Sequence, residues 1–419
     1  MKQEPAPSSG STAKIPTWVI ALLCVLTTST VTAFAMYYFL TRGNTTINNE
    51  ITSTSDLTTT TSENNEQKQG FVYMKRLMGS PQGQADIILS NFDGSSKSII
   101  QTVSKYVGPL NNNDVSQAGH IIYATQSETE ESLWVSNKGD QSKNILTLPK
   151  NKFIESAKIS PDGTMIAYSL LDKHNPEGEL WTINTDGTDN KMIIANTGQY
   201  IVEQIPFRLA PLAWSKDKTK IYMITTADSD ATPSGMYVAD LATAKIQKAK
   251  TPDITLWGVS FSPNEEKIAY TTFEWKDVPD SRPEAGPPFT INITDLNTGA
   301  TEKVLENQNK QYFDPIWSPD GKKIMYKTAT GFENDDSAIH VVDISTKKTH
   351  NIVPSVKNTK MIPWAWLSNE RVAYTEESYT TGRIQDKVTT YLFTVKTDGT
   401  DKQSIDSATD LIVFGSLKK

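Results

Sequence analysis

The chain has 419 residues and a formal net charge of -7. That length could hold two or three ordinary domains, and an acidic chain without a clustered Lys and Arg face does not bind a phosphate backbone, so no nucleic-acid partner is expected. Cys24 is the only cysteine, which excludes an internal disulfide and a thiolate metal site and leaves buried area to supply stability.

Residues 1–14 are polar and carry Lys2 and Lys14; they read as a cytoplasmic tail. Residues 15–41 read as a transmembrane anchor, because Thr17 to Leu40 contains no charged residue and such a run, as a helix rising about 1.5 Å per residue, crosses a hydrocarbon layer of roughly 30 Å. Trp18, Tyr37 and Tyr38 sit where interfacial rings settle. A cleaved signal peptide competes with this reading through Ala33-Phe34-Ala35, although the apolar run outlasts an ordinary signal core. Lys2 and Lys14 ahead of the span favour an inside amino terminus. The expected location is therefore the cell membrane, single-pass, with everything after Arg42 outside the cytoplasm. Residues 42–69, rich in Thr, Ser and Asn, cannot offset the entropy of ordering by burial and read as a flexible stalk.

From Gly70 onward one unit recurs. Trp317-Ser318-Pro319-Asp320-Gly321 precedes Ile324-Met325-Tyr326, Ser160-Pro161-Asp162-Gly163 precedes Ile166-Ala167-Tyr168, and Phe261-Ser262-Pro263-Asn264 precedes Ile268-Ala269-Tyr270. Looser copies place tyrosines at Tyr73, Tyr123, Tyr222 and Tyr374, so the seven tyrosines count as one position repeated about every 50 residues, the spacing of a four-stranded propeller blade. Each unit reads as an inner strand, a turn in which proline presets φ and glycine closes, a tyrosine-bearing second strand, then a hairpin with turns such as Asp186-Gly187 or Asp398-Gly399. The first unit lacks an inner strand. The terminal segment 410–416, Leu411-Ile412-Val413-Phe414 at its heart, is expected to pair with Phe71 to Lys75 and close the ring. The fold class is all-β: a seven-bladed β-propeller over 70–419, with six blades as the alternative.

These units resemble the WD40-like PD40 repeats of TolB-type propellers, marked by an aromatic residue, Ser-Pro-Asp-Gly and an Ile-Ala-Tyr strand. The resemblance covers about 350 residues and implies a fold, because the motif residues make turns and core in every member. TolB-type propellers usually have six blades and no membrane anchor, two departures here. Similar propellers precede the hydrolase domain of prolyl oligopeptidases and dipeptidyl peptidases, but no Gly-x-Ser-x-Gly elbow occurs in this sequence.

Candidate chemistry is sparse. His120, His174, His340 and His350 are scattered along the sequence without a close pair, so no metal is expected, and the acidic turns lack the final bidentate glutamate of a calcium loop; no cofactor is implied. The short turns must share one face of the ring and the longer connections the other. Aromatic residues and arginine on those connections anchor protein or glycan surfaces, which singles out Tyr200, Phe207, Arg208, Trp257, Trp275, Tyr312, Asp314 and Trp364, with Tyr106 beside them. The expected role is a tethered envelope module that binds an extracytoplasmic protein or glycan, and no catalytic residue is assigned. The alternative is a propeller hydrolase or lyase acting at the central channel through Glu155, Asp314 or Asp410; a propeller serving a separate hydrolase subunit is a third reading.

Overall fold

The computed structural model divides the chain into two units, Met1–Asn64 and Asn65–Lys419. The described residues all belong to the second: they run from 70 to 417, leaving out 77–83, 104–113, 117, 128, 138–140, 173–174, 196–207, 227–234, 253, 255, 274–288, 308–309, 330–335 and 381–386. The expected tail, anchor and stalk lie outside them. Among the described residues no helix is long and apolar enough to cross a membrane.

Seven four-stranded antiparallel sheets make up this unit. Blade 1 comprises β28 (Leu411–Leu417), β1 (Gly70–Arg76), β2 (Ala85–Asn91) and β3 (Lys97–Val103), in that order. Blade 2 holds β4 (Asp114–Val115), β5 (His120–Gln126), β6 (Glu130–Asn137) and β7 (Lys143–Pro149). Blade 3 runs from β8 (Lys152–Ile159) through β9 (Met165–Asp172) and β10 (Asn175–Asn184) to β11 (Lys191–Ile194). Blade 4 has β12 (Arg208–Trp214), β13 (Lys220–Thr226), β14 (Met236–Asp240) and β15 (Lys245–Lys248). In blade 5 these places fall to β16 (Trp257–Phe261), β17 (Lys267–Phe273), β18 (Phe289–Asp295) and β19 (Thr301–Leu305). Blade 6 is β20 (Gln311–Trp317), β21 (Lys323–Ala329), β22 (Ala338–Asp343) and β23 (Thr349–Val353), and blade 7 is β24 (Thr359–Ser368), β25 (Arg371–Tyr379), β26 (Lys387–Lys396) and β27 (Gln403–Ala408).

The core is not one mass but seven clusters, one at each blade interface. The cluster around Tyr73, Leu367 and Leu392 joins blades 7 and 1, and that around Met74, Ile121 and Tyr123 joins blades 1 and 2. The series continues through Leu133 with Tyr168, Leu180 with Leu209, Met236 with Tyr270, Ile291 with Tyr326, and Ile339 with Tyr374. Seven interfaces for seven blades close the ring. The repeat explains this directly: in an Ile-Ala-Tyr strand, alternation sends tyrosine toward the preceding blade and its neighbour toward the following one, as Tyr168 and Ala167 show by falling in successive clusters.

Blade 4 departs from the expected count of tyrosines. Trp214 pairs with Ile221 and Ala213 with Tyr222, whereas in blade 7 Trp366 pairs with Val372 and Ala365 with Ala373. Tyr222 therefore occupies the alanine position and packs toward blade 5, and Met223 fills the tyrosine position toward blade 3. A shift of one residue reverses the face.

The closing strand is as expected. β28 pairs antiparallel with β1, Tyr73 opposite Val413 and Lys75 opposite Leu411. Charged contacts fasten the same seam. Asp406 accepts from Tyr73 Oη and Lys75 Nζ, both at 2.7 Å, and Arg76 reaches Asp410 at 3.0 Å.

Candidate functional site

In an antiparallel blade the first and third connections share one side of the disc; the second, and the link to the next blade, share the other. The first side is stitched together by the repeat itself. In the turn after β8, Ser160 Oγ donates to Asp162 at 2.8 Å and Gly163 N–H closes on the Ser160 carbonyl at 2.8 Å. Gly163 has φ +74, and a Cβ there would overlap the His120 ring of blade 2, so both the backbone and the neighbour demand glycine. Turns also hold each other: Lys218 meets Asp162 at 2.5 Å, and the Lys216 N–H donates to Glu265 at 2.7 Å. Hydrogen bonds from Ser215 and Thr219 bring the Asp217 carboxyl down to about 2, and bonds from Ser345 and Thr346 do the same for Asp343. Partial burial pushes Asp162 and Asp320 upward, but their hydrogen-bond donors outweigh it and hold both below the usual aspartate range. These acids are structural.

The central channel opens on this same side as a cavity of about 330 Å³ walled by Val115, Phe261, Ile316, Trp317, Trp364 and Trp366. Hydroxyls at its mouth are committed to turns, Ser318 donating to Asp320 at 2.7 Å and Ser116 accepting from His120 N–H at 2.9 Å.

The opposite side gathers the long connections and behaves differently. Among the described residues three large apolar side chains stand exposed there: Ile254 (40 %) and Trp257 (49 %) where the chain enters β16, and Val356 (51 %) where it enters β24. Behind Trp257 runs a row of rings. Trp257 to Phe273 is 6.5 Å between centroids, Phe273 to Phe289 4.8 Å, and Phe289 to Phe313 4.6 Å. Lys327 Nζ lies 5.1 Å from the Phe313 centroid and 3.3 Å from an Asp314 carboxylate oxygen. The Lys327 side chain is 8 % exposed and that of Asp314 45 %.

Backbone irregularity produces this corner. β16 and β20 both break register, between Trp257 and Ser260 and between Phe313 and Ile316, and such bulges re-aim side chains. Asp314 adopts φ +51, a left-handed conformation that costs a non-glycine residue about 1 kcal/mol or more. Gly258, at φ +57, lets the two strands meet, since a Cβ there would stand 3.2 Å from Asp314 Cα. Trp257 is thereby placed one residue from the contact with Asp314.

Glu131, also on this side, is shifted opposite to the aspartates of the short turns. Glu131, at the start of β6, is buried, and burial pushes its carboxyl up to about 7 against one opposing hydrogen bond, from Ile154 N–H at 3.3 Å.

The sequence-selected residues thus separate. Trp257 and Asp314 come together on the rim. Tyr312 is 7 % exposed and packs edge-on against Tyr326 at 5.8 Å, so it is a core ring. Trp364 sits at the bulge of β24, donates its indole N–H to Thr375 at 2.9 Å and walls the channel. Arg208 begins β12; Tyr106, Tyr200, Phe207 and Trp275, like the Arg208 side chain, lie outside the described residues. Of the channel acids, Glu155 occupies the bulge of β8 and Asp410 is held by Arg76. Among the described residues no three His, Cys, Asp or Glu side chains form a metal-binding group.

Sequence reasoning missed Lys327, and a signal was there. The residue after each buried core side chain of the second strand is Met74, Ala124, Ser169, Ile224, Thr271, Lys327 and Thr375 from blade 1 to blade 7. Only blade 6 puts a charge in it.

Fold and repeat together define a seven-bladed β-propeller. No protein-family model matches the sequence. A dipeptidyl-peptidase 5 of Porphyromonas gingivalis is 30 % identical over 115 residues, which is 25 % of this chain and 16 % of that protein. The match therefore spans about a sixth of the relative's length. Among solved structures, the β-propeller domain of the Trilobed protease from Pyrococcus furiosus, described as having an open velcro topology, has a TM-score of 0.52 at 14 % identity, covering 80 % of this chain and 91 % of that one. TolB from Acinetobacter baumannii gives 0.45 at 15 % identity, with 82 % and 83 % covered. At these identities the likeness is one of fold.

Proposed function

We propose that the chain is a propeller that binds another macromolecule outside the cytoplasm through its long-connection rim. Residues 15–41 serve as the membrane anchor and 42–69 as the stalk. As a coil, a stalk of this length spans roughly 25 to 30 Å, enough for the disc to search the space near the membrane. The observation that carries this reading is that Ile254, Trp257 and Val356 stand exposed on one rim, while the other side spends its polar groups on its own turns. Aromatic anchors surrounded by polar groups are the usual energetic centre of a binding surface.

The test is site-specific photo-crosslinking in intact cells, with the reactive side chain placed at Trp257 or Val356 on the rim and at Asp320 on the short-turn side. Adducts from the rim positions alone are expected. Adducts from Asp320 with none from Trp257 and Val356 would remove the face assignment. A second reading rests on the local match to a dipeptidyl peptidase: the propeller serves a hydrolase. It calls for peptidase activity that co-purifies with the chain and disappears when the chain is removed.

A further inference from the structure

We draw no further inference here: the strongest candidate, the cavity of about 330 Å³ on the short-turn side walled by Trp317, Trp364 and Trp366, is apolar, has its mouth hydroxyls committed to turns, and nothing in the structure shows what covers it.

Discussion

The two sides of the disc are made from the same repeat and spend their polar groups in opposite ways. On the short-turn side, carboxylates such as Asp217 and Asp343 are drawn down to about 2 by donors within their own turns. On the long-connection side, the buried Glu131 is pushed up to about 7 by burial, Asp314 is held in a strained conformation and Trp257 is left in solvent. The difference teaches where selection for construction ends: one side commits the aspartates of its turns to hydrogen bonds within those turns, and the other carries groups whose placement costs stability.

The severest way to break this contrast is to remove the scaffold both sides share. Deleting 411–417 takes the inner strand out of blade 1 and exposes the edge of β1. A loss of the cooperative melting transition is expected, together with aggregation through the open edge. Retention of a sharp melt near the parent temperature would show that the ring does not depend on its closing strand.

The register difference in blade 4 offers a finer cut. Tyr270 is fully buried between blades 4 and 5 and hydrogen-bonded to Thr294 at 2.8 Å, so Tyr270→Ala should cost about 3 to 5 kcal/mol by denaturant titration. Tyr222→Ala, removing a half-buried ring, should cost about 1 to 2 kcal/mol, and Met223→Ala about 2 to 4. Equal costs for the two tyrosines would contradict the register.

Acid–base behaviour separates the sides with the smallest effect. Glu131 binds its proton more tightly in the folded chain than in the unfolded one, so its contribution to stability falls as the pH rises from the ordinary glutamate range through about 7. Glu131→Gln should therefore gain about 2 kcal/mol at pH 8, and the gain should vanish near pH 4. Asp217 and Asp343 run the other way: their stabilisation is present at neutral pH and fades as the pH drops below the aspartate range toward about 2. Thermal melts across pH for the parent and Glu131→Gln check both signs.

The fold was legible because each repeat states the same local instruction. Ser-Pro-Asp-Gly reads as a turn, Ile-Ala-Tyr as a strand facing two neighbours, and the orphan strand Leu411 to Phe414 as the missing partner of Phe71 to Lys75. Tyr222 was misplaced because a tyrosine one residue early looks like the same tyrosine until pairing fixes which face it takes. Exposure was harder. Trp257 and Tyr312 both open inner strands with an aromatic ring, yet one is half exposed and the other is core, a difference made by bulges and neighbouring blades rather than by either local sequence. Lys327 could have been found by aligning the repeats and asking which one breaks the uncharged pattern, since a nearly buried charge needs a reason.

The proposed division gives binding to the rim and construction to the turns. Its most direct test is one paired measurement on the full chain: retention on native cell envelopes and melting temperature, for Trp257→Ala and for Gly163→Val. Trp257→Ala is expected to lose retention while its melting temperature stays within about 2 °C of the parent. Gly163→Val, forced into a left-handed turn against His120, is expected to melt well below the parent and still be retained at temperatures where it remains folded. The reverse assignment, with retention intact in Trp257→Ala and lost in folded Gly163→Val, would contradict it.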